Sequence, residues 1–476
     1  MNYCKNEQIE LQITDIGTEG EGIGKTDAFT WFIKDAVPGD KVRALVMKTK
    51  KTYGYARLLE ILIPSTDRVT PVCPIARQCG GCSLQNLSYE AQLRFKENKV
   101  RNNLMRIGGF EFADTEKEKA EQKEQDFPVF FPIIGMEKPL RYRNKAEVPF
   151  GTDREGNITA GFYAGHTHCI VPCSDCLLEF EENKEILETV LGWMKEFRIL
   201  PYGEGQSTGL IRHVLIRKGF STGELMTCII SASDTIPHTG ILCEQLMKLP
   251  GMKTVVLNVN AEPGNVILGK RTRILAGPGT IADTIGETVF RISAESFYQV
   301  NPVQTEKLYR TALEFADLTG AEEVWDLYCG IGTVSLFLAK KAKKVTGIEI
   351  VPQAVTDARE NARENGIPNA EFLVGKAEEI LPLHVKEYGA RADVITVDPP
   401  RKGCDAQCLE TILAMKPERI VYISCDSATL ARDLKILCGE NNSGVKYLLK
   451  KVQPVDMFPQ TVHVETVVLM SRVEGK

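Results

Sequence analysis

No stretch of this 476-residue sequence approaches the roughly 18 consecutive apolar residues that a membrane-spanning helix requires. Its start, MNYCKNEQIELQITD, lacks the apolar core of a secretory signal, so a cytoplasmic protein is expected. Strong charge of one sign is missing too. With 58 Lys and Arg against 63 Asp and Glu the net charge is -5, which excludes a polycation and leaves local patches as the only route to nucleic acid. There is no internal repeat of solenoid period. What remains, 43% hydrophobic and 25% charged residues, suits a soluble globular chain with about two or three domains.

Cysteine, by contrast, is plentiful. In a reducing compartment the 14 cysteines read as thiols, metal ligands or catalytic groups rather than disulfides. Residues 1 to 62 alternate apolar and polar in short runs between Gly and Pro turns, which predicts a small OB-like β-barrel, an architecture often used for oligonucleotides. Gly17, Gly20, Gly22 and Gly24 fit turns rather than a phosphate loop, because no Lys-Ser ending or helix follows. From Lys41 to Arg57 the barrel carries Lys41, Arg43, Lys48, Lys50, Lys51 and Arg57 without an acid, interleaved with Tyr53 and Tyr55. Further basic clusters run from Arg94 to Arg106 and from Lys138 to Lys145. The charged stretch FADTEKEKAEQKEQDFP is expected to be an exposed, mobile insertion. Residues 63 to 290 form a central α+β region with strands dominant from about 127, and residues 291 to 476 alternate helix and strand, implying a parallel sheet with crossover helices.

Three constellations in that last part carry chemistry. In VWDLYCGIGTVSLFLAKKAKKVTGIEI a strand ends near Asp326, Gly330 and Gly332 make the turn into a helix, and the next strand ends at Glu349. Glycine lets backbone approach a ligand, and an acid about 20 positions later grips ribose hydroxyls. Ser335 stands where a dinucleotide site wants its third small residue, so S-adenosylmethionine fits better than NAD. In ADVITVDPPRKG the acid-Pro-Pro is followed by Arg401, not by the base-stacking aromatic of methylases acting on exocyclic amines. Third, Cys425 falls on a strand-to-helix turn, and Glu465 starts an apolar strand in VDMFPQTVHVETVVLM. Carbon 5 of uracil takes a methyl only after a thiolate adds at C6, and a base must then remove the C5 proton. Cysteine and carboxylate supply those two roles; His463 is a rival base.

FYQVNP, DLYCGIGT, DPPRKG, YISCDSATLARD and MFPQTVHVETVVL together resemble the motifs of the RNA uracil-C5 methyltransferases over nearly the whole chain, and the barrel resembles their TRAM domain. The resemblance implies a multidomain α/β enzyme: a TRAM barrel, a central α+β region with an iron-sulfur site, and a Rossmann-like methyltransferase domain. It makes Cys425 the nucleophile and Glu465 the proton-removing base. It places Gln299, Tyr328, Glu349 and Asp398, with the turn glycine Gly330, around S-adenosylmethionine. Thr333 stays outside this set, since some relatives carry Asn there.

A fourth constellation lies upstream. Cys73, Cys79 and Cys82 in CPIARQCGGCSLQNLSYEAQ, with one remote thiol from HCIVPCSDCLLE, make a set of four for a soft metal or a cluster, zinc being the physical alternative. The spacing resembles the family's [4Fe-4S] pattern, and its frame favours Cys176 as the fourth ligand over Cys173 or Cys169. The expected function is therefore S-adenosylmethionine-dependent C5-methylation of uridine in RNA. Relatives with this barrel and cluster resemble ribosomal enzymes, pointing to 23S rRNA, with the T-loop of tRNA as the alternative. A non-catalytic RNA-binding assembly protein is disfavoured by the presence of both Cys425 and Glu465. A cytosine-C5 methylase would carry a Pro-Cys nucleophile motif, whereas Ser424 precedes Cys425.

Overall fold

The computed structural model describes residues 3–27, 29–112, 127–153, 155–165, 167–203, 208–389, 391–439 and 444–473. The insertion read at residues 112 to 128 falls largely outside the described residues. Among those described, no helix is long and apolar enough to cross a membrane.

Strands β1 (Gln8–Ile16), β2 (Gly22–Thr26), β3 (Phe29–Lys34), β4 (Lys41–Thr49) and β5 (Tyr53–Ile63) close into a barrel in the order β1-β2-β3-β5-β4. Strict alternation explains the closure: in β4, Val42, Ala44 and Val46 are fully buried while Lys41 and Lys48 face outward. Helix α1 (Tyr89–Asn103) follows, capped by the Ser88 side chain on Ala91 N, and strand β6 is only Val129–Phe130.

The central region is a seven-stranded sheet ordered β13-β12-β11-β10-β7-β8-β9, built from β7 (Lys145–Thr152), β8 (Ile158–Tyr163), β9 (Ile170–Pro172), β10 (Ile211–Lys218), β11 (Leu225–Ser231), β12 (Met252–Val259) and β13 (Arg271–Ala276). Its helices α2 (Asn183–Glu196) and α3 (Thr239–Leu246) cover one face, burying Trp193, Met194, Leu242 and Leu246 against Val214, Ile229 and Leu257. The opposite face, through Leu215, Met226, Cys228 and Ile230, shares a core with the hairpin β14 (Ile281–Ile285) and β15 (Thr288–Ile292) and with the C-terminal sheet. Coverage on both sides is why β11 is buried at every position.

The C-terminal sheet has eight strands ordered β18-β17-β16-β19-β20-β22-β21-β6. Strands β16 (Glu323–Leu327), β17 (Lys344–Glu349), β18 (Ala370–Val374), β19 (Val394–Val397) and β20 (Arg419–Ser424) are parallel, whereas β22 (Glu465–Val473) runs antiparallel to both β20 and β21 (Lys446–Val455). Helices α4 (Pro302–Ala316), α5 (Thr333–Ala339), α6 (Pro352–Glu364), α7 (Ala377–Tyr388), α8 (Ala406–Met415) and α9 (Ser427–Cys438) accompany these strands. The sheet recruits pieces from before residue 290: β6 pairs with β21, and α1 packs on α9 and β21. A two-residue strand has no periodicity, so only the tertiary structure reveals this crossing.

Candidate active site

Strand order reverses between β16 and β19, and the carboxyl ends of β16, β17, β19 and β20 line up on one edge. Beyond β16, Tyr328 takes a left-handed φ of 65° and Gly330 one of 55°; a Cβ on Gly330 would meet nothing within 4 Å. The turn thus leaves open space above its backbone. Gly332 caps α5 at φ 81°, where a Cβ would come within 2.9 Å of Phe372. The Glu349 carboxylate accepts from Gly330 N (3.1 Å) and Val351 N (2.9 Å), tying the ends of β16 and β17 together. Ser335, at the place of the missing third small residue, donates to Asp326 at 2.5 Å while Thr396 donates to its other oxygen at 2.7 Å. Burial nevertheless pushes the Asp326 carboxyl up to about 6. The Asp398 amide reaches Leu327 O (3.3 Å), which sets that acid beside Tyr328.

The pairing of Ser424 with Thr466 makes Cys425 and Glu465 the next residues on neighbouring strand ends. Asp426 accepts from Ala428 N and Thr429 N, so the chain turns into α9 directly after Cys425. Burial raises the Cys425 thiol to about 11, the Glu465 and Asp398 carboxylates push the same way, and the Arg401 guanidinium opposes them. Glu465 is pushed up to about 8 by burial and by Asp398, again against Arg401. Asp398 rises to about 7 through burial and the Asp326 charge. Arg401, noted from sequence only as the absence of an aromatic, is therefore a cation whose charge acts on both thiol and carboxylate; Thr429 donates to its carbonyl at 3.1 Å. His463 is half-buried and held below its usual range by burial, Arg401 and two lysines. Gln299 is buried on the segment before α4, its carbonyl accepting from Asn144 at 2.9 Å.

Cys73, Cys79, Cys82, Cys173 and Cys176 line one cavity of about 240 Å³, with Arg143, Lys145 and Glu179 in its wall. Of the three candidates for the fourth ligand, Cys173 and Cys176 line it, while Cys169 is exposed and does not. Burial is the main cause raising Cys82 and Cys173 to about 11 and Cys176 beyond the usual thiol range. Among the described residues, no three His, Cys, Asp or Glu side chains converge to hold a metal ion as they stand.

A family model described as tRNA (Uracil-5-)-methyltransferase matches residues 280–473, and the TRAM domain model matches residues 3–59. An uncharacterized RNA methyltransferase of Halalkalibacterium halodurans is 48% identical over 98% of this chain and 97% of its own length. One from Clostridium acetobutylicum is 46% identical over 99% and 98%. The chain belongs to the RNA uracil-5-methyltransferase family. Among solved structures it is similar to the Pyrococcus abyssi tRNA (uracil-54, C5)-methyltransferase in complex with S-adenosyl-L-homocysteine. That likeness has a TM-score of 0.74 at 25% identity and covers 97% of this chain and all of that one.

In this RNA methyltransferase the basic clusters divide by environment. On the TRAM barrel, Lys48, Lys50 and Lys51 are exposed beside Tyr53 and Tyr55, whose rings contact each other and Phe32. Arg43 is neutralised: strand pairing sets it opposite Glu10 and Glu60, and it bonds both. The absence of acids within its own stretch hid this, because its partners come from β1 and the far end of β5. In the Arg94 to Arg106 cluster, Lys96 is buried against Asp456 and Lys99 donates to Val462 O. Those two lysines serve the interior of the methyltransferase; a buried lysine's partner is distant in sequence and leaves no local mark.

Proposed function

We propose that this chain methylates C5 of a uridine in RNA with S-adenosylmethionine, in the cytoplasm, and that 23S rRNA is its substrate. The observation that carries the reaction is the juxtaposition of Cys425 and Glu465 at one sheet edge, near the open Gly330 turn and with the charges of Asp398 and Arg401 acting on both. When bound, S-adenosylmethionine supplies an electrophilic methyl; Tyr328, Gly330, Glu349, Asp398 and Gln299 are the residues we assign to hold it. Cys425, once deprotonated with the help of Arg401, bonds to C6 and shifts the ring electrons toward O4, making C5 nucleophilic. After C5 is methylated, Glu465 as carboxylate takes the C5 proton, the C5=C6 bond re-forms and the thiolate leaves. On this reading residues 1–62 capture RNA, 63–290 hold the cysteine site and 291–476 perform the chemistry.

We assign Cys73, Cys79, Cys82 and Cys176 as ligands of a [4Fe-4S] cluster. The support is the donor set itself: thiols from separate segments surround a cavity instead of meeting at a point, which suits a polynuclear group better than one tetrahedral zinc with ligands at about 2.3 Å. The methyl transfer needs no electron from it.

A second substrate reading, the T-loop of tRNA, is favoured by the likeness to the tRNA enzyme from Pyrococcus abyssi. Purified protein with methyl-labelled S-adenosylmethionine and separate 23S rRNA and tRNA transcripts distinguishes them. Label at a uridine of 23S rRNA alone is the expected outcome; label on tRNA alone overturns the rRNA assignment, and label on neither overturns the reaction.

A further inference from the structure

The segment from Asp456 to Val464, which delivers Glu465 to the sheet edge, has no regular secondary structure yet is almost wholly buried. Its backbone groups are held from outside. One face of α1 presents Tyr89, Gln92, Lys96, Lys99 and Asn103, spaced three or four apart. Tyr89 donates to Asp456 at 2.7 Å. Lys96, with no exposed side-chain surface, pairs with Asp456 and donates to Phe458 O at 2.9 Å. Lys99 donates to Val462 O at 2.9 Å. One turn on, Asn103 reaches Ser427 Oγ at 2.8 Å, two residues beyond Cys425. A single helix thus touches both the segment leading into Glu465 and the turn carrying Cys425.

Gln460 is the centre of the held segment. It is a non-glycine residue at φ 71°, a conformation retained only where surroundings impose it. Ser83 N and Leu84 N both donate to its carbonyl at 3.0 Å, directly after Cys82. Its amide donates to Gln92 Oε1 at 3.0 Å, and its side-chain oxygen accepts from Gln92 Nε2 at 3.0 Å. The same Gln92 nitrogen is shared with Leu84 O (3.1 Å) and Leu87 O (2.9 Å), so one buried carboxamide bridges the cysteine turn and the segment before Glu465.

We propose that Gln92 and Gln460 are positioning residues that hold Glu465 opposite Cys425, and that through them the order of the cysteine turn controls the placement of Glu465. The physical reason is that Glu465 is the first residue of β22, paired there with Val455 of β21, so its placement depends on how the chain from Asp456 to Val464 enters the strand. A shift of about 1 Å in a general base lowers turnover by up to roughly 100-fold, and the contacts that fix the approach to Glu465 include those from α1 and from Ser83 and Leu84. This rests on the assignment of Cys425 as nucleophile and Glu465 as base.

The test uses full-length Gln92→Leu and Gln460→Gly; glycine accepts the left-handed backbone, so the second variant keeps the turn while losing the carboxamide pair. Turnover on RNA should fall on the order of 10- to 100-fold, with methylated enzyme-RNA adduct accumulating. Capture of 5-fluorouridine RNA, which needs the thiol but not the base, should stay within about twofold of the parent. Parent-like turnover in both variants overturns the proposal, as does equal loss of capture and turnover. Glu465→Gln is the control: if it turns over normally, the base assignment fails; if it traps adduct while the two glutamine variants behave as parent, only the positioning role fails. For the cysteine arm, hydrogen exchange of amides 461–465 is compared between the parent and Cys82→Ser, or Cys73→Ser where the first does not fold. Exchange faster by about tenfold or more supports the coupling; unchanged exchange overturns it.

Discussion

Ser424 and Thr466 face each other across the β20–β22 pairing, so Cys425 and Glu465 emerge one step further along from adjacent strand ends. Opposed residues of antiparallel strands have Cα atoms about 4.5–5.5 Å apart, close enough for two side chains to reach one C5–C6 bond of a pyrimidine. Cys425→Ala should therefore abolish both methylation and covalent capture of 5-fluorouridine RNA. Glu465→Gln should lower turnover by about 10²- to 10⁴-fold while a methylated adduct accumulates as a slow band on denaturing gels. Turnover by Cys425→Ala overturns the nucleophile assignment, and parent-rate turnover by Glu465→Gln without a band transfers the base role to another group, His463 first.

With Glu465 as the proposed base, its raised pKa predicts the shape of the pH profile. Burial and Asp398 raise its carboxyl to about 8, so in the free enzyme the base becomes available only as pH rises through that value. Because Glu465 acts after methyl transfer, kcat rather than kcat/KM should climb with pH through an inflection near 8, and the inflection should vanish in Glu465→Gln. Because Arg401 holds both this carboxyl and the Cys425 thiol down, Arg401→Gln should move the inflection upward. A flat profile across neutral pH excludes Glu465 as the titrating group.

The same shift has a sign in stability. A carboxyl raised from 4.5 to about 8 on folding favours the protonated native state, a contribution complete below the unfolded value and lost as pH rises through the folded one. The unfolding temperature of Glu465→Gln should match the parent at about pH 4, exceed it increasingly up to about pH 8, and keep a constant lead above that. A variant that loses stability relative to the parent at high pH contradicts the buried, protonated assignment.

On the TRAM barrel, Lys48, Lys50 and Lys51 are exposed beside an aromatic group. Replacing all three with Ala should weaken RNA binding and reduce the slope of log affinity against log salt by about two to three. Arg43→Ala should change that slope little, since Glu10 and Glu60 already neutralise it. Equal slopes for the triple variant and the parent remove the barrel lysines from the RNA contact.

Anaerobically purified protein should be brown, with broad visible absorption and about four irons per chain. Cys176→Ser should lose that colour, and Cys169→Ser should keep it, because Cys169 lies outside the cavity. Colourless protein with one zinc per chain replaces the cluster with the zinc alternative.

Local sequence was enough for the elements whose pattern is local. The alternation of β4, the apolar run of β20 broken by Asp426, and the Gly330 turn each predict their backbone from neighbours a few residues away, and the structure has them there. The spacing of cysteines likewise pointed to a shared site, and five thiols line one cavity; the sequence frame favours Cys176 over Cys173, and the fold brings both to the cavity. Tertiary structure alone decided which charges act. Arg43 is neutralised by strands 33 and 17 residues away, and Lys96 is buried against a partner 360 residues away. Pairings of that range depend on strand order and helix packing, which leave no periodicity in the chain. Gln92 and Gln460 belong to the same class. A carboxamide is ordinary anywhere in a sequence, and it becomes a constraint only when folding brings α1, the cysteine turn and the approach to Glu465 into one buried contact.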